Sequence, residues 1–298
     1  MTFNLIVVGL GVLIALSFGI SDFLSKDVAG KVGAYKVSIY ILVLSGIGTM
    51  LPALGVSSSF DLSTTSVLLL AFIAASTFLS FAALYRAYSK GMLSLTAPIA
   101  NCYPAISVVL SVLLIGASFS LGALMSIATV ILGIVMVSTS LRDLRTRLFG
   151  RAGALAPGVG SAMLAAVFFG ASWTAYGYAE QTLGYLLPAI AVRFGAASLG
   201  LGAAAAIRED VRPVFQGTFR RLVAMSLLET VGVVLFSLAS IISATPDAIP
   251  ILTTFGGMSA AFTVCFAILF LKERPEINHV IGVILLIGGV TVLLYLTG

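Results

Sequence analysis

Charge and reactive side chains are scarce in this sequence. Charged residues make up 9% of the 298 positions, and there are one histidine and two cysteines. Soluble domains carry about 25% charged residues, so a typical soluble globular protein is excluded. Both cysteines, Cys102 and Cys265, lie in apolar segments and are interpreted as packing residues, not as a disulfide or a metal pair. No metal and no cofactor is therefore expected.

Most of the sequence consists of long apolar segments. Hydrophobic residues make up 60% of the sequence, and the mean hydropathy is +1.16. A helix needs about 20 apolar residues to cross the hydrocarbon core of a bilayer, and ten segments of this kind recur along the sequence. They are centred near Val12, Val43, Ser76, Pro104, Thr129, Phe168, Gly195, Val231, Ala260 and Leu286. The alternating polarity of a membrane β-barrel is not visible, so the pattern predicts an all-α integral membrane protein with ten transmembrane helices.

The connections between these segments are short, and their charge is one-sided. No connection exceeds about twenty residues, which leaves no room for a soluble catalytic or nucleotide-binding domain. Of the 16 basic residues, 15 lie in odd-numbered connections, and Arg193 is the exception. By the positive-inside rule, the odd connections are cytoplasmic and both termini are extracytoplasmic. The basic residues are thus interpreted as anchors at the plasma membrane and not as a nucleic-acid-binding surface.

The sequence contains two related halves. Shifts of 151 and 156 residues align residues of the first half with those of the second. The matched pairs are Phe18 with Phe169, Gly19 with Gly170, Ser21 with Ser172, Ser126 with Gly282, and Gly133 with Gly289. The halves are residues 1–148 and 156–298, joined by a basic cytoplasmic linker at 149–155. Because each half has five spans, the second must enter the membrane inverted, which is the architecture of secondary transporters with a midplane site.

Two spans are interrupted at equivalent places. Span four contains PIANCYP at 98–104, and span nine contains PILTTFGGMS at 250–259, whose adjacent glycines align with Ala100 and Asn101. Proline removes a backbone donor and leaves carbonyls without helical partners, which lipid tolerates only against protein or a water-filled cavity. Such paired interruptions predict a transporter's substrate site. The cavity-facing candidates are Asn101, Tyr103, Thr253, Thr254 and Ser259, although the same groups could instead satisfy the freed carbonyls.

Two charged residues are placed near the middle of the bilayer. Arg193 lies ten residues into span seven, and Glu229 lies about as far into span eight. An intramembrane charge costs at least about 2.5–3.5 kcal/mol and needs a partner or water. The two could form an ion pair, bind opposite ends of a zwitterion, or, for Glu229, exchange a proton during transport. Asp22 and Asp247 are interpreted as wetted residues at span boundaries.

Trp173, the only tryptophan, lies beside the matched serines Ser21 and Ser172. An aromatic belt at the membrane interface is its ordinary explanation, and a place in a cavity wall is the alternative. Ser21, Ser172 and Trp173 complete, with Arg193 and Glu229, the set of candidate substrate-binding residues. Aromatic groups that face inward favour a substrate with an apolar or aromatic part.

Two longer segments carry a family resemblance. FLKERPEINHVIGVILLIGGVTVLL at 270–294 and KGMLSLTAPIANCYPAISVVLSVLL at 90–114 resemble the corresponding regions of the EamA-type transporters of the drug/metabolite transporter superfamily. The resemblance implies ten helices around a central cavity lined by helices one, three, four, six, eight and nine, with two and seven as gates. In one departure, Glu273 aligns with Ala117, so its carboxylate has no counterpart in the first half.

These features predict a secondary transporter that exports small metabolites by alternating access. Export and the amino-acid class are implied by the resemblance. A nucleotide-sugar or organic-anion exchanger of the same fold is the alternative, and it would need several basic groups where only Arg193 is visible. A membrane-embedded enzyme is not expected, since the spans lack an acid–base or metal constellation. The expected partners are a small-molecule substrate and the bilayer, and a monomer and a weak homodimer both stay open.

Overall fold

The computed structural model describes residues 5–54, 63–91, 93–138, 157–212, 217–243, 245, 247–271 and 277–297. The regular elements in these ranges are all helical, which confirms the all-α prediction. The α-helices are α1 (Leu5–Val32), α2 (Ala34–Ala53), α3 (Thr64–Lys90), α4 (Leu93–Ala100), α5 (Tyr103–Leu110), α6 (Leu121–Ser138), α7 (Val159–Leu183), α8 (Leu187–Ile207), α9 (Phe219–Ser243), α10 (Ala248–Gly257), α11 (Ser259–Leu271) and α12 (Ile277–Thr297). The linker predicted at 149–155 lies outside the described residues.

Six of these helices are long and apolar enough to cross a membrane by themselves. They are α1, α2, α3, α7, α8 and α9, and they correspond to the predicted spans one, two, three, six, seven and eight. The other four predicted spans correspond to shorter apolar helical segments at Tyr103–Ile115, Leu121–Met136, Ala248–Thr263 and Val280–Gly289. The number of ten spans therefore stays a prediction, while a multi-pass helical membrane protein is shown.

The outside of the helix bundle is apolar, and its interior carries hydroxyl groups. Leu113, Leu114 and Phe270 are each exposed by 70% or more, whereas Ser80 and Ser107 are fully buried. A soluble protein places its apolar side chains inside because water drives them there. Lipid exerts no such drive, and helices in a bilayer associate through small and polar residues. The distribution of side chains is that of a protein surrounded by hydrocarbon.

Both predicted interruptions are present, at matching positions. The first separates α4 from α5 at residues 101–102, and the second separates α10 from α11 at Met258. The shift of 156 residues places Cys102 on Met258 and Tyr103, the first residue of α5, on Ser259, the first residue of α11. Pro104 stands in the first turn of α5, where the missing N–H removes no helical hydrogen bond. Pro104 thus starts a new helical segment and does not distort a continuous one.

The most extensive helix contacts all join the first half of the chain to the second. They are those between α6 and α12, α3 and α7, α1 and α9, and α2 and α8. If α1 is equivalent to α7 and α3 to α9, exchanging the halves converts the α1–α9 contact into the α7–α3 contact. The α2–α8 and α6–α12 contacts are converted into themselves. The packing therefore has the pattern that a pseudo-two-fold relation between two repeats requires.

The α6–α12 contact shows this relation at the level of atoms. A Cβ added to Gly133 would lie 2.8 Å from the backbone N of Leu286 and 2.9 Å from the carbonyl O of Gly282. A Cβ added to Gly289 would lie 2.8 Å from Val130 Cγ2 and 3.2 Å from the carbonyl O of Ser126. The sequence repeat pairs Gly133 with Gly289 and Ser126 with Gly282. Each helix thus uses the same small-residue positions to approach the other closely, as membrane helices commonly do.

The Gly133→Ala substitution is expected to destabilise the protein. The new methyl group must push apart two backbones, and overpacking of this kind costs about 1–3 kcal/mol. Alanine also favours a helix over glycine by about 1 kcal/mol, so the matched control Gly288→Ala, which meets no atom within 4 Å, should be neutral or stabilising. Melting temperatures of the purified variants in detergent test this, and a Gly133→Ala variant that melts with or above Gly288→Ala would contradict the contact.

Candidate functional site

The two helix interruptions lie against each other inside the protein. Ser259 Oγ donates a hydrogen bond to Asn101 Oδ1 at 3.0 Å, and Asn101 Nδ2 donates to the carbonyl O of Ala97 at 3.0 Å. A Cβ on Gly257 would lie 2.6 Å from Pro104 Cγ and 3.0 Å from the carbonyl O of Asn101. The irregular backbone is therefore covered by protein from the opposite half. This is the environment in which such backbone is tolerated at membrane depth.

Two adjacent cavities lie beside this crossing. The first, here named the arginine chamber, has about 360 Å³ of empty space and is lined by Thr77, Phe81, Phe169, Ser172, Trp173, Tyr176, Ala189, Val192, Arg193 and Val233. The second, the aspartate chamber, has about 400 Å³ and is lined by Phe18, Asp22, Phe81, Leu84, Ala100, Asn101, Tyr103, Phe169, Trp173, Glu229 and Ser259. Phe81, Phe169 and Trp173 belong to both linings and separate the two spaces.

An ion pair connects the two chambers. Arg193 Nη2 on α8 lies 3.6 Å from Glu229 Oε2 on α9, and the two side chains are only 6% and 9% exposed. Arg193 Nη1 also donates to Ser45 Oγ on α2 at 2.8 Å, and Ser21 Oγ on α1 donates to Glu229 Oε1 at 3.3 Å. A buried charge in a membrane needs such partners. The pair thus links four helices, with Arg193 lining the arginine chamber and Glu229 lining the aspartate chamber.

Aromatic rings form most of the remaining wall. The Trp173 ring lies 4.6 Å from Phe236 and 5.7 Å from Phe18, measured between ring centroids. Phe81 packs edge-on against Phe169 at 5.3 Å, and the Arg193 guanidinium carbon lies 5.9 Å from the centre of the Phe81 ring. Edge-to-face and tilted arrangements are the favoured ones for aromatic pairs. The site therefore combines a few charges with large, preorganised apolar surfaces.

The candidate residues from the sequence do not all lie at these cavities. Asn101, Tyr103, Trp173, Glu229 and Ser259 line the aspartate chamber, and Ser172, Trp173 and Arg193 line the arginine chamber. Ser21 lies behind Glu229, to which it donates a hydrogen bond. Trp173 thus occupies a cavity wall and not a belt at the membrane interface.

Thr253 and Thr254 line neither chamber. Their hydroxyls donate to the carbonyl O of Pro250 at 2.9 and 2.7 Å. Threonine in a helix readily makes this bond to the preceding turn. These two hydroxyls therefore have the alternative role that the sequence left open for them, which is to satisfy backbone carbonyls.

Asp22 lines a cavity that the sequence did not assign to it. It was expected at a wetted boundary, but it lines the aspartate chamber together with Glu229. The physical reason is the length of α1, which has 28 residues from Leu5 to Val32, whereas about 20 suffice to cross the hydrocarbon core. Asp22 stands ten residues before Val32, so it lies short of the end of this long helix, and it is partly buried. Phe81 and Phe169 were also missed, because an aromatic residue in an apolar helix has no sequence signal for which way it faces.

A third buried carboxylate lies outside both chambers. Glu180, near the end of α7, is fully buried, accepts from Ser237 Oγ at 3.0 Å and accepts from the backbone N of Leu186 at 3.2 Å. Leu186 precedes α8 and has a positive φ of 61°. A carboxylate at a helix N-terminus is stabilised by the helix dipole and by unpaired N–H groups. Glu180 therefore fixes the α7–α8 turn.

Comparisons with known proteins agree with this architecture. A model of the EamA-like transporter family matches the chain twice, at residues 5–139 and 156–295. The uncharacterized protein MJ1333.1 of Methanocaldococcus jannaschii is 30% identical over 132 residues, which are 44% of this chain and 95% of the relative. A solved crystal structure superposes with a TM-score of 0.67 at 17% identity over 95% of both chains, a likeness that shows the fold alone. Since the two family matches cover nearly the whole sequence, the protein belongs to the EamA-like transporter family, a family of membrane transporters.

Proposed function

We propose that the protein is a secondary transporter that exports small metabolites, with amino acids as the favoured class, across the plasma membrane. The observation that carries this proposal is the Arg193–Glu229 pair, which borders both chambers beside the crossing of the two interrupted helices. Sites of secondary transporters form where discontinuous helices of two repeats meet. Membership of the EamA-like transporter family supports the transport role.

The amino-acid class is supported by the charges and the apolar walls together. A zwitterion that separates Arg193 from Glu229 would place its carboxylate on the guanidinium and its ammonium group on the Glu229 carboxylate. The pair neutralises itself when the site is empty, which avoids the cost of isolated buried charges. The rings of Phe81, Phe169 and Trp173 would contact an apolar or aromatic side chain.

Alternating access is the proposed mechanism, with ten spans arranged as two inverted repeats and both termini outside. The most extensive helix contacts join the two halves, and exchanging the halves preserves their pattern. Such a relation permits an inward-open and an outward-open state of similar structure. Glu229 is also placed to exchange a proton when its ion pair opens, so a proton gradient is one candidate driving force.

The charges in the cavities argue against a nucleotide-sugar or organic-anion exchanger. Arg193 is the single cationic side chain among the described residues that line the two chambers, and Asp22 and Glu229 are both anionic. A diphosphate group would meet two carboxylates for one guanidinium, and like charges repel strongly where water is excluded. The amino-acid proposal requires no such excess of positive charge.

Flux into liposomes tests the proposal. We expect uptake of labelled phenylalanine to saturate with concentration and to be accelerated by unlabelled phenylalanine on the opposite side, since a carrier must return its site across the membrane. Lys31→Gln, which changes an exposed residue of α1 paired with Asp27, is the control and should transport like the wild type. Flux that rises linearly without acceleration would indicate a channel, and flux of nucleotide sugars alone would overturn the substrate class.

A further inference from the structure

The charges around the two chambers do not balance. Among the described residues, the charged side chains that line them are Arg193, Glu229 and Asp22. Arg193 is paired with Glu229 at 3.6 Å, which leaves the Asp22 carboxylate without a cationic partner in the described part of the chain. Asp22 also faces the Glu229 carboxylate. An unpaired carboxylate away from bulk water is costly, so a compensating positive charge would be strongly favoured.

The polar groups around Asp22 can donate to its carboxylate and still have free acceptor capacity. Tyr88 and Asn101 face the Asp22 side chain. The Tyr88 hydroxyl, on a side chain that is only 4% exposed, makes no hydrogen bond of ordinary geometry within the described residues. Asn101 Oδ1 accepts one hydrogen bond, from Ser259, and an amide oxygen has two lone pairs. A group with several N–H donors would satisfy these atoms together with the carboxylate.

The walls beside Asp22 favour a cation as well. Five aromatic residues line the aspartate chamber, namely Phe18, Phe81, Tyr103, Phe169 and Trp173. The faces of aromatic rings carry partial negative charge and attract organic cations, more strongly when both partners are desolvated. The Asp22 carboxylate, the Asn101 amide and five aromatic side chains therefore line one space.

We propose that Asp22 forms an ammonium subsite, and that the protein binds organic amines that lack a carboxylate as well as amino acids. This inference rests on the proposed transport function and deepens it by naming the group that recognition requires. The ammonium group lies in the aspartate chamber between the Glu229 and Asp22 carboxylates, beside Asn101. The carboxylate of an amino acid reaches Arg193, but it is not needed for binding. An aliphatic or aromatic anion without an amine is excluded by the two carboxylates.

Fluorescence of the single tryptophan tests this subsite directly, because Trp173 lines both chambers. The purified protein is titrated with 2-phenylethylamine, L-phenylalanine, 3-phenylpropionate and 2-phenylethanol, which share a ring and differ in charge. We expect the amine and the amino acid to bind at least about tenfold more tightly than the acid and the alcohol, a factor that corresponds to one charge-assisted contact. A wild-type protein that binds the acid or the alcohol as tightly as the amine overturns the proposal.

Variants of Asp22 separate this subsite from the transport proposal. Asp22→Asn should weaken binding of the amine by about tenfold or more, and Asp22→Glu should restore part of it. Asp27→Asn, on the same helix but paired with Lys31 at 2.7 Å, should bind like the wild type. If Asp22→Asn binds 2-phenylethylamine like the wild type, or the wild type does not bind it, the subsite is refuted. If the subsite is refuted but phenylalanine flux is still saturable, the proposed transport function stands. If saturable phenylalanine flux is absent, the proposed transport function is refuted separately.

Discussion

Replacing Arg193 with alanine is expected to abolish transport and to destabilise the protein by about 3–5 kcal/mol, the usual cost of removing one partner of a buried ion pair. The substitution leaves Glu229, 7% exposed, with Ser21 as its remaining side-chain partner among the described residues. It also removes the donor to Ser45 on α2. Melting temperatures in detergent and phenylalanine flux in liposomes measure the two effects.

The double variant Arg193→Ala with Glu229→Gln separates structure from function. Neutralising Glu229 removes the unpaired charge, so the double variant should recover much of the lost stability. It should still not transport, because both charges of the proposed substrate site are gone. The control is Arg221→Ala, which breaks an exposed ion pair with Asp27 and should cost about 0–1 kcal/mol. Wild-type flux in the double variant would show that the pair is only structural.

Leucine at Gly19 or at Gly170 is expected to destabilise the protein and to stop transport, with similar effects at both positions. A Cβ on Gly19 would lie 2.6 Å from Phe262 Cβ and 2.8 Å from the carbonyl O of Ser259. A Cβ on Gly170 would lie 2.7 Å from Ile106 Cβ and 3.1 Å from the carbonyl O of Tyr103. The shift of 156 residues relates Ser259 to Tyr103 and Phe262 to Ile106, so the two glycines make equivalent contacts with the two interrupted helices.

The expected loss exceeds that of a single added methyl group, for which overpacking costs about 1–3 kcal/mol. A leucine at Gly19 would displace the start of α11, and a leucine at Gly170 would displace the start of α5. The first residues of these helices, Ser259 and Tyr103, line the aspartate chamber. Gly9→Leu on α1 and Gly160→Leu on α7 are matched controls, since neither glycine has an atom within 4 Å of its added Cβ. Thermal melting and liposome flux of the four variants test the prediction. Tolerance at one site and failure at the other would contradict the pseudo-two-fold relation.

The positions of the helix interruptions could be predicted from the sequence. Pro104 and the Gly256–Gly257 pair mark positions where a continuous helix is disfavoured, and the structure interrupts the helices next to both. The alignment of the two halves predicts that the two interruptions lie at equivalent positions, and the structure agrees to within one residue. The ion pair of Arg193 with Glu229 was one of the alternatives that the sequence left open, because a charge in a membrane needs a partner or water, and the structure contains it.

The direction in which a side chain faces could not be predicted in the same way. Thr253 and Thr254 are polar residues beside an interruption, yet the preceding turn offers each hydroxyl a carbonyl. The depth of Asp22 depends on how far α1 extends beyond the bilayer, which hydropathy does not reveal. Phe81 lines the cavities because α3 packs against α7, and this contact joins residues that are distant in the sequence.

Cysteine accessibility at the helix crossing tests most directly whether the interrupted helices border a wet, substrate-binding hollow. In a protein with Cys102 and Cys265 replaced by serine, Ser259→Cys should react with a charged methanethiosulfonate reagent, and substrate should slow the reaction. Thr263→Cys, one turn further along α11 and packed on Gly19 at 3.1 Å, should stay unreactive, as should Leu269→Cys on the 70% exposed outer surface. If Ser259→Cys reacts no faster than these two controls, the interrupted helices do not border such a hollow.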